Sequence, residues 1–162
     1  MNEWRSVIVI GLISAAALAP KTLPAQAAEI DHISPAQILE KAKSLEETAS
    51  ASGGSAAITL SKYPRHYTMI SLRQKDGGAE IHRNFADFFC VIRGEATLTS
   101  GGTIVEPKEV KPGEIKGSSI TGGTQVLLHE GDFVHIPANV PHQLLLPKGG
   151  EFIYFVIKVE EN

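Results

Sequence analysis

The stretch Gly131-Asp132-Phe133-Val134-His135-Ile136-Pro137-Ala138-Asn139-Val140-Pro141-His142 decides how the chain is read. Phe133 to Ile136 is a short β-branched and aromatic run opened by a glycine and stopped by a proline, which is a strand signal. Pro137 and Pro141 lack the N–H that a ladder needs, so the segment between them turns rather than pairs. Asn139 suits that turn because asparagine tolerates the left-handed region better than most residues. A second apolar run, His142 to Leu146, begins directly after the turn. The unit is strand, tight turn, strand, with a histidine where the second strand starts.

The same punctuation recurs on either side. Candidate strands are Ala56 to Leu60, Tyr67 to Arg73, Ala79 to His82, Asp87 to Arg93, Glu95 to Ser100 and Thr124 to Leu128, then Phe133 to Ile136, His142 to Leu146 and Phe152 to Lys158. Gly77-Gly78, Gly101-Gly102, Gly122-Gly123 and Gly149-Gly150 separate them. Many short strands between such turns predict an all-β protein, an antiparallel sandwich or barrel of jelly-roll type, and no βαβ alternation competes. Glu106 to Gly117, rich in Pro, Gly and charge, reads as a solvated excursion between strands or a lid over a cavity. Upstream, Ser34-Pro35-Ala36-Gln37 is a capping box with proline at the first helical position, so a helix starts there. Ile38, Ala42, Leu45 and Ala49 give it one narrow apolar stripe, and Ser50 to Ser55 ends it.

Composition bounds the rest. A chain of 162 residues is about one domain at roughly 100 to 200 residues each. It has 43% hydrophobic and 20% charged residues, a balance that excludes global disorder. The formal charge of -3, with no basic cluster, argues against a nucleic-acid partner. One cysteine, Cys90, excludes an internal disulfide and Cys-rich zinc sites, and its apolar neighbours predict a buried, inert thiol. Residues 1–27 read as a secretory signal: Arg5 precedes an apolar run too short to span a bilayer, and Ala25-Gln26-Ala27 is a small-x-small cleavage pattern. The expected mature protein is therefore periplasmic or secreted, free of the membrane after cleavage, and starts at Ala28, with a helical segment over 28–52 and a β-domain over 53–162.

Six histidines are present. His32, His66 and His129 lie at caps and turns, and His135 sits inside an apolar strand, where a hydrogen-bonded core role or a place in the cavity is open to it. Glu80 and His82 leave the same face of a candidate strand, two residues apart, and Asp87 opens the next strand. With His142, these residues offer two imidazoles and one or two carboxylates, the kind of set that holds a divalent metal. Phe85, Phe88, Phe89, Phe133, Phe152, Tyr154 and Phe155 are expected in the core or lining a cavity, with Phe89 and Tyr154 as cavity candidates.

These residues resemble the two short motifs of the cupins. Gly131 to His142 is similar to the second motif, with Asn139 where its inner glycine is usual. The first motif is altered. His82 stands in the place of its second histidine, Glu80 in that of its first, Asp87 in that of its glutamate, six residues before Gly94, and Gln74 replaces the leading glycine. Asp is one methylene shorter than Glu, about 1.5 Å, so Asp87 is expected to bind through water or to support the shell from outside it. The resemblance covers Gly53 to Val159. It implies a six- to eleven-stranded barrel with a cavity between the motifs, and a divalent metal, Mn or Fe first and Zn or Ni next, held by Glu80, His82, His142 and Asp87. It also implies a small-molecule substrate, handled by dioxygenase, isomerase, lyase or decarboxylase chemistry. Two rival readings stay open: a non-catalytic module that binds a sugar or organic acid, and a structural homodimer joined through Leu144 to Leu146 or Phe152 to Ile157.

Overall fold

The computed structural model describes residues 30–161, so the leader expected over 1–27 and its cut before Ala28 lie outside the described residues. Two helices, α1 (Pro35–Lys43) and α2 (Glu46–Ala51), precede β1 (Ser55–Lys62), β2 (His66–Arg73), β3 (Ala79–His82) and β4 (Phe85–Arg93). There follow β5 (Ala96–Ser100), β6 (Thr103–Val105), β7 (Lys108–Lys111), β8 (Glu114–Gly117) and β9 (Ser119–Thr121). The last strands are β10 (Thr124–Leu128), β11 (Phe133–Ile136), β12 (His142–Leu145) and β13 (Phe152–Glu160). They form a five-stranded sheet in the order β1-β2-β13-β4-β11 and a six-stranded sheet in the order β10-β5-β12-β3-β8-β7, with β6 and β9 paired apart. Every pairing is antiparallel, as the strand punctuation predicts for a jelly roll.

The alternation of β13 shows how the core is built. Phe152, Tyr154 and Val156 point between the sheets and pack with Phe89, Val91, Leu98, Leu128, Ile136 and Leu144. Ile153 points the other way, and with Ile70 and Leu72 it lies under the helical stripe Ile38, Ala42, Leu45 and Ala49. Covered on both faces, this strand reads as an unbroken apolar run rather than as an alternating one. Lys158 is the next residue in the inward row, and the sheet carries it into the interior. The Leu144 and Phe152-to-Ile157 runs, considered above as an interface, are largely spent in these two clusters.

Gly94 is required by close approach: it has φ +87°, and a Cβ there would lie 1.9 Å from the Glu151 carbonyl oxygen. Asn139 takes φ +66°, the left-handed turn expected of it.

Four expectations need correction. Glu106 to Gly117 is not a free excursion, because β7 and β8 make a hairpin at the sheet edge whose alternation is masked by its charge. The helix from Ser34, although closed by the predicted capping box, breaks at Ser44, whose hydroxyl donates to the Lys41 carbonyl at 2.6 Å. Phe133 and Phe88 are not core: they are 82% and 40% exposed on the outer face, where they line a groove with Ile38 and Ile92. Cys90 shares that face and is only half-buried.

Candidate metal centre

Register brings the charged side chains together. Glu80 on β3 is directly opposite His142 on β12 and Lys116 on β8, while His82 is opposite Glu114. Asp87 on β4 is opposite Lys158 on β13. Such cross-strand neighbours have Cβ atoms about 5 Å apart, so ionic pairs follow wherever the two residues are of opposite sign.

Glu80, His82 and His142 each present a ligand atom, all within 4.8 Å of one another. Atoms bound to one ion at about 2.0 to 2.2 Å stand roughly 3 to 4.4 Å apart, so the trio stands within a few tenths of an ångström of the spacing a metal would set. Both imidazoles are set for it. His82 Nδ1 lies 2.6 Å from Glu114 Oε2, and His142 Nδ1 lies 3.0 Å from the Val140 carbonyl oxygen. Each partner is an acceptor, so each Nδ1 donates to it, and each ring turns Nε2 toward the centre as the atom that would meet a metal. His82 Nε2 is buried without a hydrogen-bond partner. A buried orphan acceptor of this kind needs an occupant.

Glu80 Oε1 is 3.6 Å from His142 Nε2 and from an Arg73 terminal nitrogen, and Oε2 accepts from Lys116 Nζ at 3.1 Å. Burial alone would push the Glu80 carboxyl up, but His142, Lys116 and Arg73 outweigh it and hold the group well below the usual carboxylate range. It is an anion ready to act as a ligand. Asp87 sits beside the trio, with Oδ2 3.6 Å from His82 Nε2 and 4.0 Å from His142 Nε2. Lys158 Nζ holds it, 2.5 Å from Oδ1 and 2.6 Å from Oδ2.

Next to the trio is a cavity of about 560 Å³, with Glu80, His82 and Asp87 in its wall together with Tyr67, Arg73, Glu114 and Tyr154. The Tyr154 hydroxyl accepts from Arg73 Nε at 3.0 Å. Tyr67's hydroxyl is pushed above its ordinary value by burial first, and then by the carboxylates of Asp87 and Glu114.

No protein-family model and no curated protein matches the chain in sequence. Solved structures do match in shape. The Schizosaccharomyces pombe Cnp3 cupin domain superposes with a TM-score of 0.50 at 8% identity over 66% of this chain and 65% of that one, under two thirds of its length. A conserved protein with a double-stranded β-helix domain from Klebsiella pneumoniae gives 0.50 at 15% identity, over 68% of this chain and 76% of that one. This is a cupin fold.

In the cupin barrel the two motif segments are tied directly: the Asn139 N–H donates to the His82 carbonyl at 2.9 Å, and the His82 and His142 rings stand 5.3 Å apart. Of the residues singled out from the sequence, Glu80, His82 and His142 come together, Asp87 adjoins them and Tyr154 lines the cavity. Phe89 packs in the core, and His135 stands on the outer face, exposed and stacked on Phe88 at 4.1 Å. Sequence reasoning missed Arg73, Glu114, Lys116 and Lys158. The alternation Glu114-Ile115-Lys116 carried a period-two signal, but a Pro- and charge-rich setting hid it.

Proposed function

We propose that this chain is an exported small cupin that binds one divalent metal through Glu80, His82 and His142 and acts on a small organic molecule in the adjoining cavity. The observation that carries the reading is the buried, partnerless His82 Nε2, converging with His142 Nε2 and a Glu80 carboxylate already ionised. Two imidazoles and a carboxylate suit Mn or Fe, and accept Zn or Ni. When bound, such an ion supplies Lewis acidity toward a carbonyl, enol or water oxygen, in reactions of the isomerase or lyase kind, or an open position for dioxygen. The protein's own residues do the rest. Glu114 and the Val140 carbonyl fix the ring tautomers, Lys158 keeps Asp87 in place, and Tyr154 steadies the Arg73 guanidinium at the cavity wall.

A second reading, a binding module without turnover, is favoured by one feature: Lys116 and Arg73 already balance Glu80 without a metal. Metal per chain, measured by mass spectrometry after dialysis and reconstitution with Mn, Fe, Ni and Zn, separates the two. The metal reading expects stoichiometric metal in the wild type, none in His142→Ala and retention in Asp87→Ala. Equal metal in wild type and His142→Ala, or none in any sample, leaves the binding module in front.

Export rests on the leader pattern over 1–27, and an intact mass showing Met1 retained in envelope protein would remove it. A homodimer is proposed through the outer face. β11 is one of the two edge strands of its sheet among the described residues, and it presents Phe133 beside Phe88. Sedimentation equilibrium showing a monomer at all concentrations would refute it.

A further inference from the structure

The charge of the cavity wall is opposite to that of the chain. Four cations line it, Arg73, Lys111, Lys116 and Lys158. Three carboxylates face them, Glu80, Asp87 and Glu114, which leaves the lysines, arginine and carboxylates of the wall at +1 while the chain carries -3. A concave, partly desolvated surface of one sign concentrates ligands of the other. A divalent ion on the trio would raise that surplus to +3.

Not all of these cations are used up. Lys158 belongs to Asp87 and Lys116 to Glu80. Arg73 commits only Nε, to Tyr154, and its nearest carboxylate is 3.6 Å from a terminal nitrogen, beyond hydrogen-bond length. At the cavity wall, Arg73 therefore keeps a terminal nitrogen, Nη2, that makes no short contact with its nearest carboxylate. Lys111, exposed on the β7–β8 hairpin, has no ion-pair partner among the described residues. The rest of the wall includes Met69, Phe85 and Val156, an apolar surface that has nothing to gain from a bare inorganic anion.

We propose that the ligand of this cavity is a small organic carboxylate, gripped by the terminal nitrogens of Arg73, guided in by Lys111 at the mouth, and packed against the apolar wall by its carbon body. A guanidinium fork matches a carboxylate two bonds at a time, which neither a sugar hydroxyl nor an amide can reproduce. The proposal rests on the reading of this cavity as the ligand site of a metal-binding cupin, and it specifies the substrate class for that site.

The test is calorimetric titration of the purified protein, manganese-loaded and metal-free, with succinate, glutarate and benzoate, with the three matching amides, and with inorganic phosphate. At least one acid is expected to bind about tenfold tighter than its amide. That preference is lost in Arg73→Gln. It is weakened in Lys111→Gln, an exposed change that leaves the fold intact. Acids no tighter than their amides, phosphate tighter than every acid, or an unchanged preference in both variants would overturn the proposal. Manganese per chain is measured on the same samples. Acid preference without bound manganese fails the metal reading and keeps this one; bound manganese without acid preference does the reverse.

Discussion

Lys158→Met tests how the interior of the barrel tolerates its charges. Lys158 and Asp87 are both buried, face one another across β13 and β4, and meet at 2.5 to 2.6 Å. Methionine keeps the length and apolar stem of the lysine but removes the ammonium, so Asp87 is left as an uncompensated buried carboxylate. Breaking a buried pair from one side costs about 3 to 5 kcal/mol, whereas replacing both partners with apolar or neutral groups is often close to neutral. At about 4 °C per kcal/mol for a domain of this size, the metal-free single variant should melt roughly 12 to 20 °C below wild type. Asp87→Asn/Lys158→Met should recover most of that loss. The metal reading adds a second consequence. Asp87 Oδ2 lies only 3.6 and 4.0 Å from the two imidazole Nε2 atoms, so freeing it from Lys158 supplies a fourth ligand, and Lys158→Met should hold Mn more tightly than wild type. Circular-dichroism melts of the metal-free proteins, followed by competition with a chelator, read both effects. A single variant as stable as wild type, or a double variant as unstable as the single, refutes the reasoning about the pair. A drop in metal affinity refutes the reasoning about Asp87.

Glu114→Gln removes the carboxylate that accepts from His82 Nδ1 and should weaken metal binding by about 10- to 100-fold while the barrel still folds, as measured by chelator competition. Tyr67 predicts an alkaline effect. Its folded pKa is raised, so above the unfolded value of about 10 the unfolded chain holds fewer protons than the folded one, and stability falls as pH rises through that region. Tyr67→Phe should lose less stability than wild type between pH 9 and 11 in urea unfolding, and identical slopes would count against the half-buried hydroxyl.

The barrel was legible from the sequence because its strands are short and their ends are marked by glycine and proline, and because Gly131 to His142 keeps both the spacing and the turn chemistry of its motif. His142 was legible for the same reason, and His82 by its place two residues after Glu80 and five before Asp87 in the altered first motif. What escaped was the part that depends on register. Nothing local to Lys158 distinguishes it from any lysine at the end of a strand; only the inward row Phe152, Tyr154, Val156 carries it to Asp87. Glu114 and Lys116 sit in a stretch whose composition reads as loop, and pairing with β3 overrides that composition. Phe133 was expected inside on hydrophobicity alone, but alternation along an edge strand places it on the outer face.

Three of the ion pairs at the centre of this barrel each span one ladder: 80 with 116, 82 with 114, 87 with 158. The unit that descendants of this chain can alter without harm is then the couple rather than the residue. A change of sign at one position invites an answering change across the ladder, while a single-residue insertion in the β7–β8 hairpin shifts β8 by one place and turns Glu114 and Lys116 to the opposite face together. Divergence in this barrel should therefore proceed by matched exchanges within strands and be halted by length changes in that hairpin.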